Sequence, residues 1–206
     1  MTNIRLNSLT YMIENEDLEQ MVLGTDEIPD EFKEFNIINE GMLDNEELAE
    51  SGFPGDSEEY FKNCGRINGY MREFGSRELV NIKENEKFIM GCVVHLFDHE
   101  RDVNKWMEEV FLKRFMDRTG ELIGVNQKLI SVTEVLSDEF YDHSLAVDLV
   151  QSNPSGDILF TIVDFKIGRL LGVCFIGTKG TQSQIGLCEQ LGLVFEQKIA
   201  RTVLLK

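Results

Sequence analysis

Positive charge is nearly absent from the first sixty residues of this chain. That stretch holds 17 Asp and Glu against two basic residues, Arg5 and Lys33, whereas the whole chain of 206 residues holds 37 acidic and 20 basic. The net charge of −17 therefore belongs mainly to the N-terminal segment. Nucleic acids and anionic membrane surfaces bind clustered Lys and Arg, so this charge speaks against both as partners. It permits a cationic partner, a divalent ion or a solvated acidic surface.

The chain also lacks paired cysteines. Its four cysteines stand far apart and form no Cys-x-x-Cys motif, which speaks against a zinc site or a disulfide framework. We expect free thiols, buried where they fall in strands or in a helix. They are Cys64, Cys92, Cys174 and Cys188.

Long apolar runs and a leader sequence are missing as well. The longest apolar stretch, residues 158–177, is interrupted by Asp164, Lys166 and Arg169, so no membrane span is expected. The N-terminus does not have the shape of a signal peptide, which predicts a cytoplasmic protein if the chain is complete.

Residues 1–60 differ from the rest in pattern as well as in charge. Helix and strand breakers are frequent there, and the apolar positions are sparse but present, as at Leu18, Met21 and Phe32. We therefore expect short helices that wrap around the remainder of the protein. The predicted division is an acidic extension or lobe, residues 1–60, packed on a core domain, residues 61–206.

The core pattern predicts an α+β fold. Six segments read as strands, and two read as long amphipathic helices because their apolar residues recur at steps of three and four. The order from about residue 65 is β-β-α-β-β-β-β-α, and the hairpin-length connections favour a mainly antiparallel sheet. We expect both helices to cover one face of that sheet. The strands are Arg66–Phe74, Lys87–Phe97, Lys128–Leu136, Ser144–Gln151, Ile158–Phe165 and Arg169–Gly177. The helices follow Asp98 and Thr181.

Catalytic patterns are weak in this sequence. His95 and His99 have the spacing of a helical metal pair but straddle a predicted strand-to-helix corner. His143 lies between Asp142 and Ser144, yet neighbouring side chains point apart and do not form a triad. No Gly-x-Ser-x-Gly motif is present. A hydrolase that uses His143 or His95 is therefore an alternative hypothesis only.

The acidic segment offers oxygen ligands for calcium. Asp44, Glu46, Glu47 and Glu50 lie close together, and carboxylates suit this cation. No Asp-x-Asp-x-Asp-Gly loop accompanies them. We expect no cofactor, and keep a calcium-dependent adhesion or assembly module as a second alternative.

Two sequence segments carry a family resemblance. Gly65-Arg-Ile-Asn-Gly-Tyr-Met-Arg-Glu-Phe74 and the strand-turn-strand around Phe165-Lys-Ile-Gly-Arg169 resemble a loosely defined group of bacterial extracytoplasmic proteins, often lipoproteins, with a PsbP-like architecture. The resemblance covers roughly residues 60–204. It implies a binding or accessory domain outside the cytoplasm, and it assigns no catalytic residue.

The leading hypothesis is therefore a non-enzymatic binding or accessory domain for a protein or small-molecule partner. Tyr70, Arg72 and Arg169 are its candidate ligand-binding residues, because they combine polar reach with predicted strand positions. The sequence names neither the ligand nor the oligomeric state.

Overall fold

One antiparallel sheet of eight strands organises the described part of the protein. The computed structural model describes residues 2–76, 82–123, 127–137, 140–153 and 156–206. The strand order across the sheet is β1-β2-β3-β8-β7-β6-β5-β4. The strands are β1 (Asn36–Met42), β2 (Arg66–Gly75), β3 (Lys87–Phe97), β4 (Leu122–Ile123), β5 (Gln127–Val135), β6 (Ser144–Asn153), β7 (Gly156–Ile167) and β8 (Leu170–Lys179).

The helices fall into three groups along the chain. Four short α-helices occupy the N-terminal third: α1 (Thr2–Leu9), α2 (Leu18–Met21), α3 (Asn45–Ser51) and α4 (Glu58–Asn63). Single 3-10 turns occur at Thr10–Met12, Asn15–Asp17 and Asp30–Phe32. A continuous helical segment, the 100–117 helix, combines α5 (Glu100–Lys105), a π-helical stretch (Trp106–Lys113) and α6 (Arg114–Asp117). The C-terminal helix α7 (Ile185–Leu204) is the longest.

The predicted fold class is confirmed, and all six predicted strands are present within a few residues of their expected ends. The order β-β-α-β-β-β-β-α also holds, with the two-residue strand β4 added before β5. The predicted hairpin turn at Gly168 is present, and this glycine has a positive φ of 56°.

The expectation that both long helices cover one face is wrong. Helix α7 packs on the face that carries Cys92, Phe165 and Cys174. The 100–117 helix packs on the opposite face, against residues such as Phe97 and Leu171. The physical reason is that the central strands are apolar on both sides, so each face requires a cover.

The N-terminal segment shares a core with the sheet. Five of its side chains are fully buried against the α7 face of the sheet. Strand β1 joins the same sheet by pairing with β2. The predicted boundary at residue 60 stays a prediction. The five residues are Leu18, Met21, Val22, Leu23 and Phe32.

Arg169 fastens the N-terminal segment to the β7–β8 turn. Its guanidinium donates to the carbonyl oxygens of Thr10 at 3.0 Å, Ile13 at 2.7 Å and Phe97 at 3.1 Å. It also lies over the Tyr11 ring, 5.3 Å from the centroid. The predicted ligand-binding residue therefore has its polar groups engaged inside the molecule.

Replacing Arg169 by Met should destabilise the protein by about 2 kcal/mol. The substitution removes three charge-assisted hydrogen bonds and leaves partly buried carbonyls that water replaces only in part. Urea unfolding measures this loss. Arg101→Met is the matched control, since the Arg101 side chain is 81% exposed. Equal midpoints for both variants would contradict the fastening role.

Candidate functional site

A cavity of about 200 Å³ lies between the sheet and the 100–117 helix. Aromatic rings from three segments of the chain form part of its wall. Trp106 and Val110 are four residues apart on the π-helical stretch and both line the cavity. The aromatic residues that line it are Phe53, Phe61, Trp106, Phe111 and Phe115.

The rings support one another in edge-on and tilted pairs. The centroids of Phe53 and Phe115 are 4.9 Å apart, and those of Phe61 and Trp106 are 5.4 Å apart. Such aromatic pairs add stabilisation beyond that which comes from the apolar area they bury. Because the rings come from α4, from the 100–117 helix and from the loop after α3, the wall exists only in the folded chain.

Asp164 lies at the sheet side of this cavity. It alternates along β7 with Phe165, so its side chain faces the 100–117 helix while Phe165 faces α7. Only 1% of Asp164 is exposed, and no donor among the described residues reaches its Oδ1 atom. Burial raises the pKa of this carboxyl well above its usual value. The group is therefore a buried acid with a free acceptor.

The nearest cation on the same strand is engaged elsewhere. Lys166 shares the Asp164 side of β7, but its Nζ atom lies 3.1 Å from both Glu100 and Asp142. Its ammonium group is thus already neutralised by two carboxylates. No charge from this lysine is left to stabilise an ionised Asp164.

His95 contributes a neutral imidazole to the cavity lining. Arg66, which is 1% exposed, donates from Nε to Nδ1 of His95 at 3.0 Å, so the ring proton resides on Nε2. Burial and the Arg66 charge lower the pKa of His95 well below its usual value. Burial also lowers the pKa of Arg66, to about 9, which leaves the guanidinium charged at pH 7.

The same arginine holds α3 onto the sheet. Its Nη1 donates to Oδ1 of Asn45 at 2.7 Å, and its Nη2 donates to the Leu43 carbonyl at 2.6 Å. Asn45 in turn donates to the Arg66 carbonyl at 3.1 Å. The network fixes the helix that precedes Phe53, and so it positions one wall of the cavity.

An ion pair borders the cavity on the side of the loop after α3. Arg114 donates to Asp56, and both side chains are largely buried. Asp56 also accepts from the Phe53 backbone N–H at 2.8 Å. The Arg114 guanidinium lies 4.9 Å from the Phe53 centroid and 5.3 Å from the Tyr60 centroid. These contacts hold the aromatic side chains in place, and they pair the charge of Arg114 with Asp56.

The candidate ligand residues Tyr70 and Arg72 lie on the other side of the sheet. Tyr70 is buried in the core beneath α7 and the N-terminal segment. Arg72 donates to Glu40 at 2.7 Å and to the Leu23 carbonyl at 2.9 Å. Neither residue, nor Arg169, lines the cavity. The structure thus brings none of the three together with Asp164, and their assignment stays a prediction.

Two of the four candidate calcium ligands cap helix α3. Oδ1 of Asp44 accepts from the backbone N–H groups of Glu46 and Glu47, each at 2.9 Å. The Glu47 carboxylate accepts from the Asp44 backbone N–H. Within the described ranges, no group of three or more acidic, His or Cys side chains is arranged to hold a metal ion. The local sequence is explained by a capping box, and the calcium site stays untested.

The backbone of the candidate hydrolase residue His143 and the serine next to it make structural contacts. Ser144, next to His143, donates to the Ser137 carbonyl at 2.6 Å. The His143 carbonyl accepts from the Lys166 backbone N–H. All four cysteines are free thiols, and burial raises the pKa of Cys92 to about 12. A thiol so rarely ionised is a poor nucleophile.

Sequence reasoning missed Asp164 as a site residue. The signal was visible, because one acidic residue stands inside an otherwise apolar strand, where an unpaired carboxylate is costly. From the sequence alone, Asp164 is interpreted only as an interruption of an apolar run, and so no role for its carboxyl is predicted. The aromatic wall had no local signal, since its members are separated by up to 62 positions, from Phe53 to Phe115.

Comparisons with known proteins identify the fold only. No family model matches the chain, and no curated protein sequence matches it. Among solved structures, the extracellular domain of PknH from Mycobacterium tuberculosis matches with a TM-score of 0.58 at 10% identity, over 94% of this chain and 98% of that one. The expected likeness to bacterial extracytoplasmic domains is thus supported at the level of fold. The comparisons do not support a PsbP-like architecture.

No helix among the described residues is both long and apolar enough to cross a bilayer.

Proposed function

We propose that this chain is a non-enzymatic binding domain of an extracytoplasmic bacterial protein and that its ligand occupies the aromatic cavity. The observation that carries this proposal is Asp164, which lines an apolar cavity and whose buried Oδ1 atom has no donor among the described residues. Buried polar groups are normally paired, so an exception in a cavity marks a place for a missing partner.

The chemistry around Asp164 favours binding over catalysis. His95 is neutral and its Nδ1 is occupied by Arg66, so it is a poor general base. Arg114 is held by Asp56 and cannot act freely on a developing charge. The extracytoplasmic placement draws on the fold shared with the extracellular domain of PknH.

Toluene and phenol, tested separately, should each bind the whole protein in the cavity. Both are close in size to benzene, which fits an apolar protein cavity of about 150 Å³. Binding is measured by chemical shift changes of backbone amides in β7, β8 and the 100–117 helix. Val173 lines the cavity. Val173→Phe should therefore fill it and weaken the binding of either probe at least about tenfold.

Val194→Phe is the matched control. It adds the same atoms on α7, where Val194 is 38% exposed, and it should leave the affinities unchanged. If neither probe binds the wild-type protein, or if Val173→Phe and Val194→Phe behave alike, the cavity is not the site and the proposed function fails.

A further inference from the structure

The ligand class follows from Oδ1 of Asp164, a polar atom of a cavity-lining residue that has no donor among the described residues. This inference rests on the proposed function, because it names the chemistry of the same site. A volume of about 200 Å³ limits the ligand to roughly one ring with a small substituent. The surrounding rings of Phe61, Trp106 and Phe115 favour an aromatic body, which packs edge-on or offset against them.

The head group should include a hydrogen-bond donor, because a neutral carboxyl keeps one oxygen that can only accept, beside the O–H that it donates. Oδ1 of Asp164 accepts from none of the residues that the structure describes, and Asp164 is 1% exposed. A ligand O–H or N–H placed there would satisfy a group that otherwise remains desolvated and unpaired. An apolar substituent at the same place would leave Oδ1 of Asp164 without a hydrogen bond.

The head group should also be uncharged. The cations Arg114 and Lys166 are already paired, Arg114 with Asp56 and Lys166 with Glu100 and Asp142. Isolated in an apolar wall, Asp164 favours its neutral form, which gives a ligand cation no counter-charge. Forming a buried ion pair there would require two charges to lose their hydration together.

We infer that the cavity binds small neutral aromatic molecules that carry a hydroxyl or N–H donor, and that Asp164 receives this donor. Phenol and toluene test the inference because they differ in one small substituent, a hydroxyl in place of a methyl group. Benzylamine serves as the cationic probe.

Phenol should bind the wild-type protein about tenfold more tightly than toluene in titration calorimetry, although phenol is the more strongly hydrated of the two. In Asp164→Leu the order should reverse, with toluene favoured. In Asp164→Asn, which keeps an acceptor oxygen in place, the preference for phenol should persist within about threefold. If the Leu variant does not fold, loss of the preference for phenol in Asp164→Asn overturns the assignment.

The possible outcomes separate the two proposals. Equal binding of phenol and toluene, or a preference for phenol that survives in Asp164→Leu, overturns the ligand class but leaves the cavity as a binding site. Tightest binding by benzylamine also overturns the class, in favour of a cationic ligand. If neither toluene nor phenol binds, the proposed function itself fails.

Discussion

A chain that lacks residues 1–35 should not fold cooperatively. Five N-terminal side chains with 0% exposure cover the α7 face of the sheet. At about 1.5 to 3 kcal/mol for each buried side chain, their burial contributes roughly 10 kcal/mol, which equals the whole stability of many domains. The shortened protein is expected to have poor amide shift dispersion and to bind a hydrophobic dye.

The polar contacts of the N-terminal segment also indicate that the fold requires it. Arg72 and Arg169 donate to carbonyl oxygens of residues 23, 10 and 13, and the Leu23 N–H donates to Sγ of Cys92. Without residues 1–35, both guanidinium groups lose these acceptors while the apolar face beside them is exposed. The segment therefore completes the core, although its charge makes it look like a separate lobe.

A pair of methionines provides the control for this deletion. Met21 has no exposed surface, whereas Met12 is 53% exposed. Met21→Ala should cost about 2 to 5 kcal/mol, and Met12→Ala should stay within about 0.5 kcal/mol. If the chain without residues 1–35 retains a dispersed spectrum and a sharp unfolding transition, the N-terminal segment is not required for the core to fold.

Most of the sheet was predictable because its strands carry a two-residue period or a continuous apolar run. Strand β3 was located at its true ends, and the spacing of Cys188, Leu191 and Phe195 correctly predicted α7. Strand β1 had no such signal. It lies at the edge of the sheet and most of its side chains are exposed, so its sequence is not constrained to alternate.

The arrangement of layers and the cavity were not predictable from local pattern. Val93 and Val94 are adjacent and both buried, one on each face of β3, and this was the available indication that helices cover both sides. The cavity depends on how Phe53, Trp106 and Asp164 meet in space. A single sequence specifies each residue type but not that distance, so the site was visible only in the folded chain.

Replacing Asp164 by Leu should stabilise the protein, and increasingly so as pH rises. Leu has nearly the shape of Asp and no polar atom to desolvate, so removal of an unpaired buried acid is favourable by about 1 to 3 kcal/mol even while the acid is protonated. Chemical denaturation of both proteins across pH 4 to 8 measures the difference.

The sign of the pH dependence follows from the raised pKa of Asp164. Above the ordinary pKa of Asp, the unfolded chain has released this proton while the folded chain still holds it. The unfolded state therefore binds fewer protons, and the wild-type stability falls as pH rises, by about 1.4 kcal/mol for each pH unit, until the folded carboxyl also ionises. Below the ordinary pKa of Asp, both the folded and the unfolded chain hold this proton, and the pH-dependent loss of stability is absent.

His95 contributes the opposite slope on the acidic side. Its pKa is lowered in the folded protein, so below its ordinary value near 6.5 the unfolded chain takes up a proton that the folded chain does not. Stability then falls as pH decreases. Between the ordinary pKa values of Asp and His the two effects cancel in the wild-type protein, and above pH 6.5 the Asp164 effect remains alone.

The comparison of variants isolates Asp164 from the other titrating groups. Asp164→Leu and Asp164→Asn keep every other carboxylate, so their difference from the wild type should rise with pH while their own profiles share the His95 slope. Asp157→Asn, an exposed change on the same strand, is the matched control and should follow the wild type. A difference that is independent of pH would mean that Asp164 is ionised and paired in solution. A cavity with such a pair would have no unsatisfied acceptor, and the donor-bearing ligand would lose its physical basis.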